Sequence, residues 1–167
     1  MNLHQFRFVQ EAARRNLNLE SKAIHIVVTA KQVDRLAVGG SGSITADAIK
    51  GNEVKLDIGG SGGIDVQRAE ADSVAVAIGG SGDVKVGGAA KHVSISIGGS
   101  GRATAQALVA DDADITIAGA GDASVAVRSS LRVTIAGAGN VSYWGDPALR
   151  KTVLGSGSIR RAGSLPR

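Results

Sequence analysis

Glycine-rich phrases are the first places in this chain where chemistry could reside, because glycine bares backbone amides that can cradle an anion. Four phrases read Gly39-Gly40-Ser41-Gly42, Gly59-Gly60-Ser61-Gly62, Gly79-Gly80-Ser81-Gly82 and Gly98-Gly99-Ser100-Gly101. Three looser ones follow: Ala118-Gly119-Ala120-Gly121, Ala136-Gly137-Ala138-Gly139 and Leu154-Gly155-Ser156-Gly157. A phosphate loop needs a Gly-Lys-Ser/Thr step that opens a helix. No phrase carries that lysine. The serines are not read as nucleophiles, because Ala120 and Ala138 take their place in the later phrases. Gly79-Gly80-Ser81-Gly82-Asp83 begins like a calcium-binding nonapeptide, but that device draws its ligands from a tandem period of about nine residues. A longer period does not supply them.

Other chemistry-bearing groups are scattered. His4, His25 and His92 have no partner at helical i,i+4 spacing, so a metal site is not expected. Carboxylates are dense in the middle, at Asp57, Asp65, Glu70, Asp72, Asp83, Asp111, Asp112, Asp114 and Asp122. Paired carboxylates could serve polysaccharide cleavage. Most of these fall at outward or turn positions, where they are simply solvated. Tyr143 and Trp144 offer flat rings that could stack on a sugar; the competing reading makes them a hydrophobic end cap. Nucleic-acid binding would call for aromatics interleaved with basic residues, and aromatics are only 2% of the chain.

The elements that hold these residues follow from the period. The second residue of each phrase falls at Gly40, Gly60, Gly80, Gly99, Gly119, Gly137 and Gly155, at intervals of 20, 20, 19, 20, 18 and 18. A fixed period near twenty residues marks a stacked repeat. Before each phrase comes a β-branched alternation such as Leu56-Asp57-Ile58 or Val76-Ala77-Ile78, the pattern of a half-buried strand. After it comes a second one, as in Ile64-Asp65-Val66. A short return closes the repeat.

Coils stacked about 4.8 Å apart would place equivalent residues in columns. Val38, Ile58, Ile78, Ile97, Ile117, Ile135 and Val153 form one expected inner ladder. Leu36, Leu56, Val76, Ile95, Ile115 and Val133 form its neighbour. The seven glycines are expected to be structural corners, needed for backbone angles and for close approach between coils. The expected fold is an all-β parallel β-helix with coils of about 20 residues. It forms a single domain over residues 1–167, with an irregular N-terminal cap at 1–15, coils over 16–161 and a loose tail at 162–167. Phe6 and Phe8 are expected to cover one end.

Charge and composition narrow the class. With no cysteine, disulfides and thiolate metal sites are excluded. No apolar run is long enough for a transmembrane helix, and Met1 to Leu17 has no apolar signal-peptide core. The net charge of +4 divides into +3 over residues 1–35, −5 over 36–127 and +6 over 128–167. Like-charged ends resist end-to-end stacking; a basic end also attracts anionic polymers or lipid headgroups.

The repeated φ-x-φ-Gly-Gly-Ser-Gly-Asp-φ pattern is clearest at Val76–Val84. It ends in Tyr143-Trp144-Gly145-Asp146-Pro147, with Gly155-Ser156-Gly157-Ser158-Ile159 beyond. In these features the chain resembles the autotransporter adhesin head GIN domain family of bacteria, from Asn16 to Gly163. The resemblance implies a right-handed parallel β-helix exported to the cell envelope, with no established biochemical activity. The function expected is a non-catalytic cell-envelope or surface module whose rigid ladder surface serves adhesion, with a glycan or envelope protein as partner. No cofactor, metal or nucleic acid is expected. The alternatives are a self-assembling scaffold (a homo-oligomer) and, behind it, a polysaccharide-active enzyme.

Overall fold

The computed structural model describes residues 33–166 throughout and, before them, the backbone of three strands. The strands are β1 Gln5–Val9, β2 Asn16–Ser21, β3 His25–Thr29, β4 Arg35–Gly40, β5 Ser43–Gly60, β6 Gly63–Ile78, β7 Asp83–Ile97, β8 Arg102–Gly119, β9 Asp122–Gly137, β10 Asn140–Trp144, β11 Ala148–Gly155 and β12 Ser158–Gly163. Each pairs in parallel with the strand one coil away, giving a β-solenoid with no helix among the described residues.

The long strands run from one glycine phrase to the next. Between β5 and β6 three runs of rungs form in turn: Ser43–Ala46 on Gly63–Val66, Ala48–Gly51 on Arg68–Ala71, and Glu53–Ile58 on Ser73–Ile78. The segment expected as a short return is therefore a third hydrogen-bonded ladder. Its alanine-rich sequence hides it, since in β5 and β6 only one residue of the segment points inward, Ile49 and then Ala69.

Both expected inner ladders are present. Leu36, Leu56, Val76, Ile95, Ile115 and Val133 are in register and buried, as are Val38, Ile58, Ile78, Ile97, Ile117 and Ile135. Val153 completes the second column in register with Ile135, yet is 37% exposed because among the described residues no further strand pairs with β11. No polar side chain is buried among the described residues. Stacked aliphatic columns close this core without aromatics.

At the glycine corners, close approach counts for more than backbone angle. A Cβ at Gly60, Gly80 or Gly99 would collide with the carbonyl oxygen of the corner glycine one coil before. A corner carbonyl also accepts from the third residue of the next coil's phrase: Ser81 N–H donates to Gly60 O at 3.0 Å, and Ser100 N–H to Gly80 O at 3.0 Å. Left-handed φ appears only at Gly40, Gly119, Gly137 and Gly155 of the seven. At Gly59, the first position of its phrase, a Cβ would meet nothing within 4 Å. Ala118, Ala136 and Leu154 occupy that position in later coils without strain.

Variation in coil length is absorbed between the glycine phrases, at the second corner and, from β8 to β9, also between Ala110 and Asp112. Glycine corners pair residue for residue, but the register shifts between Val66 and Ala69, between Lys85 and Gly87, and between Ala105 and Val109. Gly88, with φ of 120°, sits where its coil first loses a residue and lies hard against the Ala69 backbone.

At the N-terminus, Gln5–Val9, expected within an irregular cap, is a strand in register with His25–Thr29. The alternation Phe6-Arg7-Phe8 suffices for a rung even without a glycine phrase. The side chains of Phe6 and Phe8, expected to cover that end, lie outside the described residues. At the other end β12 extends into the segment expected to be loose, taking in Ala162 and Gly163.

Candidate functional site

Outward positions repeat as faithfully as inward ones. Ser43, Gly63, Asp83, Arg102, Asp122, Asn140 and Ser158 form one outward column, and Thr45, Asp65, Lys85, Thr104, Ser124, Ser142 and Arg160 its neighbour. The far half of the first column is tied together. Asn140 Nδ2 donates to Asp122 Oδ1 at 3.1 Å, Ser158 Oγ donates to Asn140 Oδ1 at 2.7 Å, and Arg102 lies 3.6 Å from Asp122.

The near half is open. Gly63 contributes no side chain, and around it lies a shallow hollow of about 330 Å³, lined by Ser43, Thr45, Asp65, Asp83, Lys85 and Arg102 among others. A Cβ at Gly63 would have room, with its nearest neighbour the Asp83 carbonyl oxygen at 3.6 Å. Asp65, Asp83 and Lys85 make no ion pair among the described residues. The hollow therefore presents carboxylate acceptors beside ammonium and guanidinium donors, a set suited to a polyhydroxylated ligand. The sequence conceals it, because Gly63 reads as one more glycine of its phrase.

Most of the remaining carboxylates are occupied at the surface. Asp57 lies 2.7 Å from Arg35, Glu70 2.7 Å from Lys50, and Asp72 2.7 Å from Lys91. Asp114 lies 3.6 Å from both His92 and Arg132. The hydrogen bond and charge of Lys50 lower the Glu70 pKa, and those of Asp72 raise that of Lys91. In its own column Asp83 stacks between Gly63 and Arg102, and the second carboxylate of the hollow, Asp65, comes from the coil before and the neighbouring column. Among the described residues no group of three His, Cys, Asp or Glu comes together to hold a metal ion.

One spelling escapes a first reading. Gly59-Gly60-Ser61-Gly62-Gly63 satisfies Gly-x-Ser-x-Gly, the signature of a nucleophile elbow. The elbow is a strand-to-helix turn, whereas Ser61 lies in a strand-to-strand corner.

The coil geometry and the closing Tyr-Trp-Gly-Asp-Pro stretch agree with a comparison of sequences: residues 9–147 match the family described as putative auto-transporter adhesin, head GIN domain. The chain belongs to this family. No curated protein matches it. Among solved structures, a putative lipid binding protein from Parabacteroides distasonis ATCC 8503 is similar, at 28% identity and TM-score 0.74 over 84% of this chain and 61% of that one. A putative adhesin from Bacteroides fragilis NCTC 9343 aligns at 24% identity and TM-score 0.72, over 80% and 61%. A putative adhesin from Parabacteroides distasonis ATCC 8503 aligns at 24% and 0.61, over 83% and 63%. The chain thus spans about three-fifths of each of these structures.

In this GIN domain Tyr143 and Trp144 lie on β10, between β9 and β12, and both are half-buried. Tyr143 packs against the core. Trp144 pairs with Gly163, where the missing side chain leaves room for the indole: a Cβ there would come within 3.4 Å of Trp144 Cδ1. The rings are covered by β12 of the next turn, and they stand apart from the Gly63 hollow, whose lining does not include them. Among the described residues no helix is long and apolar enough to cross a membrane.

Proposed function

We propose that this GIN domain is a non-catalytic module of the bacterial cell envelope or surface that binds a glycan, or a protein surface of similar polarity, on its rigid outward ladder. The hollow at Gly63 carries this reading. The strands beneath fix the spacing of the positions that carry its donors and acceptors, so little backbone order is lost on binding. The adhesin names of the family and of two solved relatives support the same reading. The exposed, ion-paired state of most other carboxylates favours binding over cleavage, since general acid catalysis needs a carboxyl held protonated near neutral pH. A subsidiary part of the proposal gives Tyr143 and Trp144 a stacking role at the exposed part of their rings.

The test is a screen of envelope polysaccharides and host glycans against the wild type and Gly63→Gln. The substitution fills the hollow where a Cβ fits. Saturable glycan binding that the variant loses, with its thermal midpoint retained, supports the hollow. Equal binding by both proteins removes it. Binding seen only as a change in Trp144 fluorescence, and unaffected by Gly63→Gln, moves the site to the aromatic pair.

A further inference from the structure

The last coil differs from those beneath it in what it leaves open. β11 pairs only with β9 and β12 only with β10, so among the described residues the other edge of each strand has no neighbour. Three residues of β11 stand on inner columns. Leu149 continues Leu131, Lys151 continues Val133 and Val153 continues Ile135. A lysine therefore ends a column that is aliphatic from Leu36 to Val133. On β12, Arg161 in the same way continues the column of Tyr143.

The surrounding charge is one-sided. Arg150, Lys151, Arg160 and Arg161 belong to this coil, and only Arg161 has an acidic partner among the described residues, Asp146 at 3.6 Å. Val153 and Leu154 are the exposed large hydrophobic residues, at 37% and 68%. Edge backbone, alternating apolar positions and unpaired cations are the three things an added strand can satisfy together.

We propose that this end of the solenoid is a docking edge for an extended acidic segment of a protein partner, which adds to β11 as a parallel strand. The register prescribes its sequence as apolar-x-acidic-x-apolar, with the apolar residues over Leu149 and Val153 and the carboxylate over Lys151. A second copy fits poorly. Residues 1–35 carry a net +3, so head-to-tail stacking would set cation on cation and bury Lys151 without a partner. An anionic lipid surface would answer the charge but leave the strand edge without rungs.

The test titrates the full chain with a fluorescent peptide of that pattern carrying glutamate. Controls are its lysine counterpart and a scramble of equal composition. Anionic phosphatidylglycerol vesicles and sedimentation of the protein alone run alongside. The expected result is saturable binding of the glutamate peptide only, weakened about tenfold by Lys151→Glu and restored when that variant meets the lysine peptide. Lys151→Met, which removes charge without reversing it, should fall between; circular dichroism checks that both variants keep the fold. Equal binding of peptide and scramble overturns the proposal, as does binding to vesicles alone, or self-association without peptide binding.

Discussion

The columns running through β5 to β9 and the same columns at β11 have nearly the same register and different surroundings. Within the stack, Ile78 is roofed by Ile97 and floored by Ile58, and is buried. At the end, Val153 rests on Ile135 with no described residue stacked above it. Identical strand geometry thus produces a core in one region and a surface in the other. In a one-dimensional stack burial depends on the neighbouring coil, not on the residue's own coil. The glycine corners obey the same rule, for the collision at Gly80 comes from Gly60 of the coil before.

The largest test of this contrast places one charge in each region. Ile78→Asp buries a carboxylate among aliphatic side chains, with no partner in reach, and should cost at least about 4 kcal/mol. Val153→Asp adds the same group at the end and should stay within about 0.5 kcal/mol. Urea unfolding followed by circular dichroism reads both. Similar losses would mean that the end coil is covered in solution.

A second pair compares glycines one residue apart in the phrase. Gly80→Ala drives a Cβ into the Gly60 carbonyl and should cost about 2–4 kcal/mol. Gly59→Ala meets open space and should be neutral, or stabilise by up to about 1 kcal/mol by restricting the unfolded chain. If the two cost the same, crowding between coils is not what requires glycine at the corner.

These pairs also mark how far the sequence could be read. The period, the two inner ladders and the parallel stack follow from recurring β-branched alternation, because an inward column repeats the same residue class in every coil. Distinguishing Gly59 from Gly80 is beyond a one-dimensional reading, as it depends on which backbone lies one coil away. For the same reason the hollow lined by Gly63 is not legible from the glycine phrases. The third ladder is not legible because its few inward positions, such as Ile49 and Ala69, sit among alanine and charged residues that suit a loop as well. Lys151 was legible only once Val133 was known to lie beneath it.

A third prediction turns the end into more of the interior. Lys151→Val would extend the aliphatic column to the last coil and remove the cation that opposes apolar stacking on the edge. Its unfolding midpoint should change little, while sedimentation should show concentration-dependent association absent from the wild type. Lys151→Glu, equally charged but reversed, should remain as dispersed as the wild type. Association of all three would assign self-assembly to another surface.

The smallest effects belong to the outward columns. Lys50 lowers the Glu70 pKa, so that pair's contribution is present above the unfolded glutamate pKa and fades as pH falls through the lower folded value. Asp72 raises the Lys91 pKa, so its contribution is present below the unfolded lysine pKa and fades as pH rises through the higher folded value. Both pairs are exposed and screened by water, which keeps their share of stability small. Urea midpoints should therefore be flat between the acid and alkaline limits. Glu70→Gln should soften only the acid slope and Lys91→Met only the alkaline one. A large drop at neutral pH from either variant would mean that the outward columns stabilise the stack as the inner ones do, and would erase the contrast between a core set by neighbouring coils and a surface left free for ligands.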